Sequence, residues 1–94
     1  MGNDEFIREC IHQVVFYHND HVDTLKGENN FIENKDVYVV WICKTLQNNK
    51  ALLSTNQPDG MYYELTYNGD KKELYFDAYK KVENKCIKVG AEND

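Results

Sequence analysis

The sequence predicts an α+β domain: an N-terminal amphipathic helix packed on a four- to five-stranded antiparallel β-meander. Three features point there. Met61 to Tyr79, MYYELTYNGDKKELYFDAY, alternates apolar and polar residues on both sides of a turn, the period of a half-buried strand pair. Residues 5–22 instead repeat their apolar positions at helical spacing. Val37 to Leu46, VYVVWICKTL, is a β-branched and aromatic run of the kind that favours strands. Ninety-four residues suffice for a single domain, 1–94, with one modest core and no metal or disulfide staple.

Asn3 or Asp4 is placed to cap a helix that starts near Glu5, with acidic residues in its first turn. Phe6, Ile7, Cys10, Ile11, Val14, Val15 and His18 form its core-facing stripe, and the pattern runs to about Val22. Residues 23–36, DTLKGENNFIENKD, are polar and Asn-rich, so they read as a loop anchored by Phe31 and Ile32. In the run from Val37, one parity holds Val37, Val39, Trp41 and Cys43, and the other holds Tyr38, Val40 and Ile42. Both sets are apolar, which predicts a central strand covered on both faces, with Trp41 in the core. Asn48-Asn49 suggests a tight turn into a second strand, Lys50 to Thr55. KTLQNNKALL has helical spacing too, but paired Asn in mid-helix is unfavourable, so the hairpin is preferred. Gln57-Pro58-Asp59-Gly60 is a turn in which Pro presets φ and Gly permits the reversal.

The following hairpin reverses around Asn68-Gly69-Asp70-Lys71 and holds five of the seven tyrosines. A two-residue Asn-Gly turn would set Glu64 opposite Glu73 and Leu65 opposite Lys72, which opposes like charges and wastes burial. A four-residue loop, 68–71, pairs Leu65 with Leu74, Tyr63 with Phe76 and Met61 with Ala78, and Glu64 with Tyr75. This register predicts a buried face of Met61, Tyr63, Leu65, Leu74, Phe76 and Ala78. The opposite face carries Tyr62, Glu64, Thr66, Tyr75, Asp77 and Tyr79. Lys80 to Lys85 then reads as a polar turn or short helix. Cys86-Ile87-Lys88-Val89 alternates as a final edge strand, which takes the sheet over about 37–89 and leaves 90–94 to fray.

The net charge is −5, from sixteen acidic and eleven basic residues, ten of them lysine. That balance argues against direct nucleic-acid binding and suits docking on a basic surface. Cys10, Cys43 and Cys86 have no CxxC spacing and read as reduced, buried cysteines of a cytosolic protein. The start MGNDEF does not resemble a signal peptide, and no apolar run is long enough to span a membrane.

Chemistry-bearing motifs are sparse. His18 and His21, with Asp20 and Asp23, share helical spacing, but no third His or paired Cys completes a metal set. No protease-like motif surrounds the cysteines, and no phosphate loop or nucleophile elbow accompanies Glu64 and Asp77. No catalytic residue, metal site or cofactor is therefore assigned. The expected binding surface is Tyr62, Glu64, Tyr75, Asp77 and Tyr79, because tyrosine buries much area at small entropic cost. The competing reading is a merely solvated face with tyrosine–carboxylate hydrogen bonds.

The strings VYVVWICKTLQNNKALLST and PDGMYYELTYNGDKKELYFDAYKKVEN resemble a family of short proteins from phages and prophages of Gram-positive bacteria, classed as a domain of unknown function. The resemblance covers roughly 37–89, with a looser match in the N-terminal helix. It implies a phage context, hence the cytoplasm of a bacterial host, and brings no catalytic residue with it. In that context the expectation is a non-enzymatic inhibitor of a host protein. The expected target is an antiviral defence component, a nuclease or signalling enzyme, in the manner of an anti-CRISPR. A nucleotide-binding sponge and a replication or transcription accessory protein that binds nucleic acid are the alternatives. A homo-oligomer is compatible with all of them, since the apolar first strand leaves its second face for another chain to cover.

Overall fold

A computed structural model describes residues 1–22 and 30–90. Helix α1 (Asn3–Asp20) precedes a 3-10 turn (Asn34–Asp36) and strands β1 (Val37–Thr45), β2 (Asn48–Thr55), β3 (Met61–Asn68) and β4 (Glu73–Lys80). The strands form one sheet in the order β1-β2-β3-β4, and every neighbouring pair is antiparallel. The fold is the predicted α+β meander, with four strands.

The helical stripe makes the seal. Phe6, Cys10 and Val14, one turn apart on α1, are fully buried with Ala51 and Leu53 of β2 and Tyr63 and Leu65 of β3. Tyr17 extends the seal toward β4: its ring meets Phe76 at 5.1 Å and Tyr63 at 5.7 Å between centroids. Burial pushes the Tyr63 phenol up to about 12, aided by Asp59 and Tyr17, and burial with the neighbouring Glu9 does the same for the Cys10 thiol. The helix begins two residues before the expected start, with Gly2 as its cap and the Phe6 N–H donating to the Gly2 carbonyl. Asn3 does not cap it. Its side-chain oxygen faces the Asn49 amide, 3.5 Å away on β2.

After α1, the Asn19 side chain holds Ile32 from both sides. Its amide donates to the Ile32 carbonyl at 3.1 Å, and its oxygen accepts the Ile32 N–H at 2.9 Å. Ile32 is thereby a buried anchor, as expected, whereas Phe31 is exposed. The rest of the predicted loop, 23–29, lies outside the described residues.

β1 departs most from expectation. It is an edge strand, not a central one. A β-bulge between Val39 and Trp41 leaves Val40 unpaired and switches the strand's parity. Val37, Val39 and Ile42 therefore share the helix side, and Tyr38, Trp41 and Cys43 share the other. Trp41 and Cys43 are exposed. The β1–β2 turn falls on Leu46-Gln47 with Leu46 at φ 57°, and Asn48 and Asn49 belong to β2. Asn49 cannot serve as a turn residue because it is buried under the start of α1.

The β3–β4 loop is Gly69–Lys72, one residue later than predicted. The Asn68 side-chain oxygen accepts the N–H groups of Asp70 and Lys71, an Asx turn that keeps Asn68 at the end of the strand. Leu65 therefore pairs with Phe76, Tyr63 with Ala78, Tyr62 with Tyr79 and Glu64 with Asp77. The shift relative to the expected pairing is two residues, so every side chain keeps its predicted face. Coverage is uneven, however. Tyr63 and Leu65 are buried, Met61, Leu74 and Phe76 only partly, and Ala78 is exposed, because α1 lies over β1 and β2 and β4 is the far edge. Gly69 is needed for room, not for positive φ. A Cβ there would run into the Gln47 carbonyl oxygen, while its N–H donates to the Asn48 side chain at 3.1 Å. Beyond β4, residues 81–90 carry no regular structure, so the expected final strand Cys86–Val89 is not part of the sheet, which ends at Lys80.

Two substitutions test this packing. Tyr63→Ala should lower unfolding stability by about 3–5 kcal/mol, whereas exposed Tyr75→Ala should cost under about 0.5 kcal/mol; comparable losses in denaturant melts would contradict the assigned faces. Gly69→Ala should destabilise by about 1–3 kcal/mol through overpacking against the Leu46-Gln47 turn, read from the same melts.

Candidate functional site

α1 covers one side of the sheet, and among the described residues no element covers the other. The registers set that open face in rows. Tyr38, Ser54, Tyr62 and Tyr79 lie across the four strands in one row. Trp41, Leu52, Glu64 and Asp77 form the next, and Cys43, Lys50, Thr66 and Tyr75 the third. The five residues expected from the sequence, Tyr62, Glu64, Tyr75, Asp77 and Tyr79, are thus brought together on β3 and β4.

Their electrostatics are specific. Tyr75 donates to the Glu73 carboxylate at 2.7 Å, and that hydrogen bond and charge raise its phenol above the ordinary value. The Asp77 charge raises Tyr79 as well, with partial desolvation and Glu64 adding to it. Glu64 is bridged to Lys50 at 3.6 Å. Asp77, directly opposite Glu64, has no ion-pair partner among the described residues. The Lys81 ammonium stands 5.8 Å from the centre of the Tyr62 ring, within cation–π range. The face is therefore polarised. The β1 side offers exposed Tyr38 and Trp41, and the β4 side offers carboxylates and phenols.

Tyr38, Trp41 and Lys50 were not anticipated as members of this surface. For Tyr38 and Trp41 the signal was absent because β1 is apolar on both parities and has no Gly or Pro to mark its bulge. Cys43 was expected to be buried and is instead exposed on this face, Cys86 is exposed in the C-terminal segment, and Cys10 is buried as expected.

A second concavity lies at the end of α1. Its volume is about 860 Å³, and Tyr17, His18, His21, Asp59, Tyr63 and Lys80 are among its walls. The histidines are turned to backbone carbonyls: His18 Nε2 lies 2.8 Å from the Asn30 oxygen and His21 Nδ1 2.7 Å from that of Tyr17. Tyr17 and His21 stack at 4.0 Å. Among the described residues no three His, Cys, Asp or Glu side chains converge as metal ligands, and Asp23 lies outside them. Among the described residues no helix is long and apolar enough to cross a membrane.

A family model described as a family of unknown function, DUF6275, matches residues 7–89, and the chain belongs to that family. The match takes in α1 from Ile7 onward, the whole sheet and the segment after β4 as far as Val89. Neither a curated protein nor a solved structure matches the chain.

The opposed Glu64–Asp77 pair gives a stability test. Like charges facing each other across strands are destabilising, so Asp77→Asn should leave the melting temperature unchanged or raise stability by about 0.2–1 kcal/mol. A drop of comparable size would mean that the Asp77 charge supports the fold.

Proposed function

We propose that this DUF6275 member is a small non-enzymatic phage protein that binds and inhibits a host protein, with a bacterial antiviral defence nuclease or signalling enzyme as its target, in the manner of an anti-CRISPR. The observation behind this reading is the open sheet face. Its exposed aromatic residues offer rigid contact area, and Glu64, Glu73 and Asp77 offer a charge pattern complementary to a basic groove. Among the described residues Asp77 stands against Glu64 without an ion-pair partner, so a basic partner would relieve the opposition of the two carboxylates. The phage setting rests on the resemblance of the strings at 37–55 and 58–84 to short phage and prophage proteins, and a host-cytoplasmic site of action is part of the same proposal.

The cleft at the end of α1 supports a second reading, a binder of a nucleotide signal. The stacked Tyr17–His21 pair offers a platform for a base, and Lys80 on its wall offers a cation for phosphate. The adjacent Asp59 carboxylate opposes that role, which ranks it below the sheet face.

Capture with the purified chain from bacterial host cells, followed by assay of what it retains, separates the two. The first reading expects a retained enzyme whose activity falls on adding the chain, and loss of both effects in Tyr62→Ala, Tyr75→Ala and Asp77→Ala with melting temperature unchanged. Retention of a nucleotide, abolished by Lys80→Ala and indifferent to those three substitutions, would replace it with the second.

A further inference from the structure

We propose that residues 82–89 of one copy of this chain add as a fifth strand to the open edge of β4 in a second copy, so that two copies exchange their C-terminal segments. This goes beyond the proposed function, which does not depend on it. The segment has no regular structure and is exposed throughout, yet it carries Val82, Ile87 and Val89 at 96%, 74% and 83% exposure. The family match runs to Val89, so the segment belongs to the family's pattern. It does not fold back on its own sheet. The Lys81 N–H donates to the Gly60 carbonyl at 2.8 Å, just past the last β3–β4 pair, Met61 with Lys80, and so carries the chain onward from β4. The radius of gyration, 16.6 Å, exceeds the about 12 Å of a compact chain of this length.

The two sheet edges are not equivalent. β1 is broken by its bulge, a feature that blunts edges. β4 pairs with β3 without interruption over eight residues, has no proline, and leaves its outer edge unpaired. The eight residues 82–89 match it in length. The chemistry matches as well. Ile87 and Val89 share one parity, suited to the partly covered Leu74 and Phe76 on the helix side. Lys88 then falls on the same side as Glu73 and Asp77. Residues 82–89 hold two lysines, Lys85 and Lys88, against one glutamate in a chain of net charge −5, so the segment is attracted to the Glu73 and Asp77 carboxylates of a second copy's β4. Main-chain pairing would supply affinity and the alternating side chains the register.

Sedimentation or light scattering of the full chain should report twice the 11.1 kDa chain mass, weakening as salt rises. The double substitution Ile87→Glu/Val89→Glu should raise the dimer dissociation constant about a hundredfold or more, with the melting curve of the resulting monomer showing an intact core. A labelled peptide of residues 81–90 should bind that monomeric variant, and more weakly after Asp77→Asn. A full chain that is monomeric at high concentration, a dimer untouched by the double substitution, or a peptide that does not bind would each overturn the proposal. So would protection of the 86–89 amides from hydrogen exchange in a monomer, which would place the strand on its own sheet.

Discussion

One helix can seal one face of a sheet, and the rest of this structure follows from that limit. Phe6, Cys10 and Val14 recur at four-residue spacing and close over Ala51, Leu53, Tyr63 and Leu65. α1 lies mainly above β1 and β2, so coverage thins toward β4, where Phe76 is only half-sheltered and Ala78 is open. A strand pair with strict alternation then has no freedom in what it shows to solvent. Once Tyr63 and Leu65 are committed inward, Tyr62, Glu64 and Thr66 point outward.

This is why the β3–β4 half was legible from sequence and the β1–β2 half was not. Parity depends only on alternation, and an even shift preserves it, so the hairpin faces came out correctly although the pairing was off by two residues. The exact register depended on the Asn68 Asx turn and on Asn48 reaching the Gly69 N–H from another hairpin, which are tertiary facts. β1 offered no parity to read, because both of its faces are apolar, and its bulge inverted the assignment of Trp41 and Cys43. Asn48-Asn49 looked like a turn by composition. Burial of Asn49 beneath the start of α1 overrode that preference and pushed the reversal onto Leu46, at a φ that suits leucine poorly.

Avoidance of like-charge opposition disfavours pairing Glu64 with Glu73, yet the observed register opposes Glu64 and Asp77. Cross-strand charge pairs contribute about 0.2–1 kcal/mol, whereas the loop and the aromatic contacts of Phe76 with Tyr17 and Tyr63 act together on the same register. Lys50 offsets part of the repulsion by bridging Glu64, which leaves Asp77 as the member with no ion pair among the described residues. A small electrostatic preference therefore decides a register only where hydrophobic packing and turn chemistry are indifferent to it.

The division between faces also separates stability from recognition. Side chains that close the core lie on one parity of β2 and β3, and those available to a partner lie on the other, so a change in one set alters the other only through the backbone they share. In a helix bundle, where contacts wind around each element, the two roles are harder to part. Here Tyr63 and Tyr62 are sequence neighbours with opposite duties: one is sealed beneath Tyr17, the other sits under Lys81 on the open side. The same geometry leaves the β4 edge between them, neither sealed by α1 nor part of the outer face, with its main-chain groups free to pair with a segment of suitable alternation.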